Sequence, residues 1–112
     1  VVSATEATDE PPSDVDVVLG DFVIDVPSTL PSGTVRFKVA NEGGQAHEFF
    51  LLKEGEKPGP GTAGVTPFNP GSTVWAEFDL EPGTYTAVCY FPDVKTGKSH
   101  ATLGMTKELT VK

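Results

Sequence analysis

Residues 81–105 read EPGTYTAVCYFPDVKTGKSHATLGM. The Glu-Pro-Gly at 81–83 is a turn signal, and the apolar and polar residues that follow predict a strand over 84–91. A period of two does not reveal which face of this strand is buried. The residues that face inward are therefore either Tyr85, Ala87 and Cys89 or the alternate residues of the strand.

The same period of two continues along the chain from about residue 14, without an amphipathic helix. A strand over 34–39 places Val35, Phe37 and Val39 on one face. Residues 54–71 hold five glycines and four prolines, which predicts an irregular connection. The other predicted strands lie at 15–26 (one strand or a pair bent at Gly20), 48–53, 72–80 and 106–112. The pattern predicts an all-β, antiparallel Greek-key β-sandwich with six to eight strands.

Composition limits the number of domains and the partners. The 112 residues suffice for one domain, which we place at 14–112, after a disordered acidic leader or tether at 1–13. The first 35 residues carry seven acids and no base, and the net charge is −8, so binding to nucleic acid is not expected. No apolar run approaches the roughly 20 residues of a membrane span. We expect that an export signal or N-terminal anchor preceded this sequence.

The side chains with metal-binding chemistry are scarce: one cysteine, one methionine and two histidines. Cys89, His100 and Met105 lie in or beside one loop, and His47 lies 42 residues before the cysteine. A thiolate, two imidazoles and a thioether are the donor set of a mononuclear blue-copper site. A Greek-key sandwich can bring the start of the strand after His47 beside the end of the Cys89 strand. The sequence therefore predicts one type 1 copper ion.

Three motifs resemble those of the cupredoxins, the family of plastocyanin and azurin. They are an Asn-Glu-Gly-Gly at 41–44 before a histidine, the Pro-Gly-Thr-Tyr strand into the cysteine, and a His-x4-Met before the last strand. The resemblance covers roughly residues 15–112. It implies three trigonal ligands and one weak axial ligand: His47, Cys89 and His100, then Met105.

Two features depart from the family pattern. Ten residues separate Cys89 from His100, where the family usually has only a few, so the ligand loop is extended. Glu48 follows His47, where many members have an asparagine that braces the ligand loop. The Glu48 carboxylate can brace that loop, accept a hydrogen bond beside the metal, or become an extra ligand.

The donor set favours a one-electron carrier that cycles between Cu(II) and Cu(I), and not an enzyme. A complete site of two histidines, one cysteine and one methionine has no open position for a substrate. The alternative is an extracytoplasmic protein for copper storage or delivery. An enzyme with Cys89 as nucleophile and His47 or His100 as base leaves Met105 unexplained. A metal-free adhesion module leaves all four residues unexplained, and a thioether is a poor ligand for zinc.

The expected partners are redox proteins. The ligand histidine of the cysteine loop is the usual electron exit in the cupredoxin fold, so docking through residues 90–99 is expected, with the protein a monomer. Lys95 and Lys98 give this loop a positive charge that contrasts with the acidic first 35 residues. A free thiol is a liability in an oxidising compartment unless a metal binds it. We therefore expect an exported protein, periplasmic or at the cell surface or extracellular.

Overall fold

The computed structural model describes residues 12–57, 59 and 62–112, which hold nine strands and no helix. In chain order the strands are β1 Val15–Gly20, β2 Val23–Asp25, β3 Thr29–Leu30, β4 Gly33–Asn41, β5 His47–Lys53, β6 Ala63–Phe68, β7 Thr73–Leu80, β8 Gly83–Val88 and β9 Thr106–Val111. Most of the predicted leader, residues 1–11, lies outside the described residues. No helix of the described chain is long and apolar enough to cross a membrane.

The strands form two sheets, one with the order β2-β1-β4-β7 and one with the order β3-β9-β8-β5-β6. The predicted all-β sandwich is confirmed. Two details differ from the prediction: the described residues hold nine strands instead of six to eight, and the pairs β1/β4 and β3/β9 are parallel while the other pairs are antiparallel. Hydrophobic period carries no information about the direction of a neighbouring strand.

The core lies between the sheets, where alternate strand residues meet. Phe37 of β4 packs against Phe49 of β5 with ring centroids 5.9 Å apart, and both side chains are fully buried. On β8 the buried parity is the one that includes Cys89, because Tyr85 and Ala87 belong to the same core. The cysteine therefore lies on the inner face of the sandwich, at one end of its strand.

The glycine- and proline-rich segment 54–71 is not wholly irregular, contrary to the prediction, because β6 forms within it. Among the described residues β6 is an edge strand that pairs with β5 alone, and an edge position tolerates Pro67. Gly64 is needed where the two strands meet, since a Cβ there would lie 2.7 Å from the Phe49 carbonyl oxygen. Gly64 and Pro67, which favour a loop in the sequence, are therefore compatible with an edge strand.

Candidate metal centre

Strand pairing brings the four predicted ligands to one end of the second sheet. Antiparallel pairing of β5 with β8 places His47, the first residue of β5, beside Cys89, which directly follows β8. β9 begins just after Met105 and pairs with β8, so Met105 lies opposite the cysteine. The Cys89 N–H donates to the Met105 carbonyl oxygen at 3.1 Å, and the Met105 N–H donates to the His100 carbonyl oxygen at 3.0 Å.

Three donor atoms converge at this end of the sandwich. The ligand atoms of His47, Cys89 and His100 all lie within 4.8 Å of one another. The two Nδ1 atoms are 3.1 Å apart, and the Cys89 Sγ is 3.5 Å from the His100 Nδ1. These three side chains and Met105 are fully buried. The cluster is therefore shielded from water and large enough for one metal ion.

The hydrogen bonds of the other ring nitrogens fix which nitrogens face inward. The His47 Nε2 lies 2.6 Å from a carboxylate oxygen of Asp21, which can only accept, so this nitrogen donates. The His100 Nε2 lies 3.0 Å from the Gln45 Oε1. That amide is oriented by its neighbours, because the Val94 N–H donates to Oε1 and the Gln45 Nε2 donates to Asp93 at 2.9 Å.

Both histidines therefore carry their protons on Nε2, and in the neutral rings both Nδ1 lone pairs point into the cluster. Two lone pairs and a sulfur that converge in this way can share a proton or bind a cation. Imidazole and thiolate donors suit copper or zinc, and hydrogen-bonded outer nitrogens are typical of metal-ligating histidines. The arrangement fits a single bound metal ion.

The thiol of Cys89 is fully buried, beside backbone donors. Burial raises the pKa of the Cys89 thiol, while the amides of Glu48 and Phe91 act in the opposite direction. The Glu48 N–H donates to the sulfur at 3.4 Å. A metal that binds this sulfur displaces its proton, since the thiolate is the ligand form.

Glu48 braces the ligand loop, which is one of the three roles that its position allows. Its buried carboxylate accepts the Tyr90 N–H at 2.9 Å, on the residue after the cysteine. Burial raises the pKa of Glu48, and the Tyr90 hydrogen bond partly opposes this. Within the described chain, the group of converging donors does not include Glu48.

The extended ligand loop folds into a closed turn. Pro92 and Ser99 form a bridge at its base, and the Asp93 N–H donates to the Lys98 carbonyl oxygen at 2.7 Å. The Asp93 carboxylate accepts the N–H and the hydroxyl of Thr96. A hydrogen bond from Gln45, together with those from Thr96, outweighs burial and holds the pKa of Asp93 below its usual range. The extra residues thus support Gln45 and, through it, His100.

His100 does not reach the surface, although the resemblance to cupredoxins predicts an electron exit at this histidine. Its ring is fully buried beneath Phe22 and Phe91, with centroid distances of 5.1 and 6.2 Å. Burial lowers the pKa of His100, as does the charge of His47, while Asp93 and Asp21 act in the opposite direction. Any route from this ring to a partner therefore passes through the covering side chains.

Three residues of the centre were not predicted from the sequence: Asp21, Gln45 and Asp93. Asp21 is 26 residues from His47 and is one of seven acids in the first 35 residues, so nothing in the sequence distinguishes it. Gln45 precedes His47 by two residues, but a glutamine near a histidine carries no specific signal. Their role depends on turns that the sandwich brings together, which spacing along the chain does not show.

Replacement of Gln45 by leucine is expected to loosen the centre. It leaves the His100 Nε2–H, the Val94 N–H and the Asp93 carboxylate without their shared partner, which corresponds to a loss of about 1–3 kcal/mol in the free energy of unfolding. Urea unfolding of the metal-free protein measures this loss. Gln45→Glu keeps an acceptor for His100 but places a second carboxylate beside Asp93, so it should lose stability as well. Equal stability of Gln45→Leu and the wild type would contradict the described hydrogen bonds.

No protein-family model and no curated protein matches the sequence. Solved structures do match it. Auracyanin from the photosynthetic bacterium Roseiflexus castenholzii is 22% identical, with a TM-score of 0.68 over 87% of this chain and 94% of that one. Rusticyanin from Thiobacillus ferrooxidans is 21% identical, with a TM-score of 0.61 over 87% and 76%. The chain has the cupredoxin fold.

A third cupredoxin structure extends the comparison. Auracyanin A, a blue copper protein from the green thermophilic photosynthetic bacterium Chloroflexus aurantiacus, is 20% identical, with a TM-score of 0.60 over 88% of this chain and 98% of that one. In these comparisons the cupredoxin fold covers 87–88% of this chain, and the buried donor cluster lies at one end of the sandwich.

Proposed function

We propose that this protein is a one-electron carrier that binds one type 1 copper ion through His47, Cys89 and His100, with Met105 as the weak axial ligand. The observation that supports this proposal most strongly is the convergence of three buried donors within 4.8 Å in a cupredoxin fold. A bound copper ion would supply one-electron chemistry by alternating between Cu(II) and Cu(I). The chain holds the donors on strand ends and buried turns, which keeps their rearrangement small.

Copper storage or delivery is the second candidate function, and burial argues against it. A protein that hands on its metal needs donors that a receiving site can approach. Here His47, Cys89, His100 and Met105 are all fully buried. Enzymatic turnover is not part of the proposal, because four protein donors leave no position for a substrate.

Repeated redox cycling in the presence of a Cu(I)-specific chelator distinguishes the two functions. The copper-loaded protein is reduced with ascorbate and reoxidised with ferricyanide in excess bathocuproine disulfonate. A carrier keeps its copper, and the visible band returns in full after each cycle. Quantitative loss of copper to the chelator on the first reduction would instead support delivery.

Met105 is expected to tune the centre without being essential for metal binding. Met105→Leu should keep copper and raise the reduction potential, since loss of a donor disfavours Cu(II) more than Cu(I). Met105→Gln should lower it, because an amide oxygen is a harder donor. Voltammetry of both variants measures the shifts. If Met105→Leu lost stability but kept the potential and spectrum, Met105 would be a core residue only.

We further propose that redox partners dock at the 90–99 loop. Val94 and Tyr90 are exposed there, at 72% and 39%, and Lys95 and Lys98 are exposed beside them. These side chains combine an apolar contact with positive charge, which suits an acidic partner. The expected oligomeric state is a monomer.

Reversal of the loop charge tests this docking surface. Lys95→Glu with Lys98→Glu should slow electron transfer to an acidic partner by about tenfold or more at low salt, and the effect should shrink as salt rises. The control is Lys57→Glu with Lys112→Glu, the same change of charge beyond the far ends of β5 and β9. Equal rates for both double variants at low ionic strength would place docking elsewhere.

The proposed location is outside the cytoplasm, periplasmic or at the cell surface, with the copper domain at 14–112. A buried thiol that binds a metal is protected from oxidation there, which supports this location. Fractionation of the native host with an antibody to the protein tests it. Detection only in the cytoplasmic fraction would contradict the proposal.

A further inference from the structure

Asp21 makes a direct contact with a ligand histidine from outside the donor cluster. It lies in the turn between β1 and β2, and its Oδ1 is 2.6 Å from the His47 Nε2. Its Oδ2 accepts the Gly44 N–H at 2.9 Å. Both oxygens of the carboxylate are therefore engaged, and the carboxylate is held in one orientation.

The turn at 43–44 is shaped to admit this carboxylate. A Cβ at Gly43 would lie 2.6 Å from the His47 Nε2 and would also overlap the Asp21 Oδ1. The Glu42 N–H donates to the Leu19 carbonyl oxygen at 2.8 Å, which joins the segments that carry the two turns. Glycine at position 43 thus leaves the space through which Asp21 reaches the imidazole.

The Asp21 carboxylate contacts the imidazole on one side and water on the other. A third of the side chain is exposed, so water also solvates the carboxylate. His47 therefore donates its outer proton to an anion, which makes Nδ1 a stronger donor.

We propose that Asp21 is a positioning residue of the metal centre, which fixes the Nε2–H tautomer and the orientation of His47 and holds the reduction potential down by favouring Cu(II). The effect on the reduction potential, the redox half of the proposal, rests on the proposed copper function. The effect on the tautomer and orientation of His47, the positioning half, concerns only this chain. A purely structural Asp21, one that only links two turns through Gly44, would affect stability but neither the tautomer nor the potential.

The first experiment measures copper binding and potential in Asp21→Ala and Asp21→Asn. Removal of such an outer partner weakens metal binding by about 10- to 100-fold. For a one-electron couple, each tenfold by which Cu(II) binding weakens more than Cu(I) binding raises the potential by about 59 mV. The control is Asp25→Asn, which removes the same charge from an exposed position on β2. An upward shift in Asp21→Ala that is no larger than in the control would overturn the redox half.

The second experiment does not need copper. Imidazole ¹⁵N chemical shifts of the metal-free protein report which ring nitrogen of His47 carries the proton. The wild type and Asp25→Asn should show a proton on Nε2, and Asp21→Ala should show a mixture of tautomers. Gly43→Ala, which keeps Asp21 but displaces it, should resemble Asp21→Ala. An unchanged His47 tautomer in both variants would overturn the positioning half.

The two proposals fail in different ways. A wild type that binds no copper refutes the carrier function and with it the redox half, while the ¹⁵N shifts still decide the positioning role. A wild type that binds copper, with Asp21 variants of unchanged potential and tautomer, refutes the inference alone.

Discussion

Replacement of Cys89 by serine is expected to abolish the intense visible band of the Cu(II)-loaded protein. The band arises from charge transfer between a thiolate and Cu(II), and a serine hydroxyl supplies no soft thiolate donor. The two residues have nearly the same shape, and the Glu48 N–H that now donates to the sulfur can donate to a hydroxyl. We therefore expect the variant to fold and the affinity for copper to fall sharply.

Absorption spectra and isothermal titration of wild type and variant measure this effect, with circular dichroism as the check on folding. Val88→Ala is the matched control, because Val88 is also buried and adjacent to Cys89 but offers no donor atom. It should lose stability and keep the band. A folded Cys89→Ser that retained the band would show that Cys89 is not a ligand.

Replacement of Phe37 by alanine is expected to have the largest effect on folding. Phe37 is fully buried at the centre of β4, where its ring packs against Phe49 in the other sheet and Phe78 in its own, with centroid distances of 5.9 and 5.4 Å. Loss of a buried phenylalanine side chain costs about 3–5 kcal/mol, because a cavity remains between the sheets. Urea unfolding of the metal-free protein measures this value.

Phe78→Ala is the comparison for this prediction. Phe78 belongs to the same aromatic cluster but is only partly buried on β7, so its loss should be smaller. Similar losses in both variants would mean that the sheets do not meet at Phe37. If Phe37→Ala lost less than Phe78→Ala, the described packing of the two sheets would be contradicted.

Hydrophobic period predicted the inner face of β4, because one side of the strand must face the other sheet, but it left both faces of β8 open. Val35, Phe37 and Val39 are buried as predicted. The hydrophobic pattern does not predict features that depend on neighbouring strands. β6 was missed because its glycine and proline are typical of loops, although both are tolerated at a sheet edge. The two parallel pairs were missed because the sequence of one strand does not show the direction of its neighbour.

The four predicted ligand residues lie together in the structure. They could be predicted because strand ends can be read from the sequence and because their chemistry is rare in this chain. The residues around them were not predictable. Asp21 reaches His47 only because two distant turns meet, and Gln45 reaches His100 only because the extended loop closes onto it. The burial of His100 depends on Phe22 and Phe91, whose positions are set by the packed fold.

Titration of the metal-free protein with Cu(II), followed by visible absorption and electron paramagnetic resonance, tests the central claim most directly. We expect one intense thiolate-to-Cu(II) band that saturates at one copper ion per chain, a single type 1 Cu(II) signal, and loss of both on reduction. A protein that takes up no copper, or that shows only the weak absorption of copper without a thiolate ligand, would contradict it.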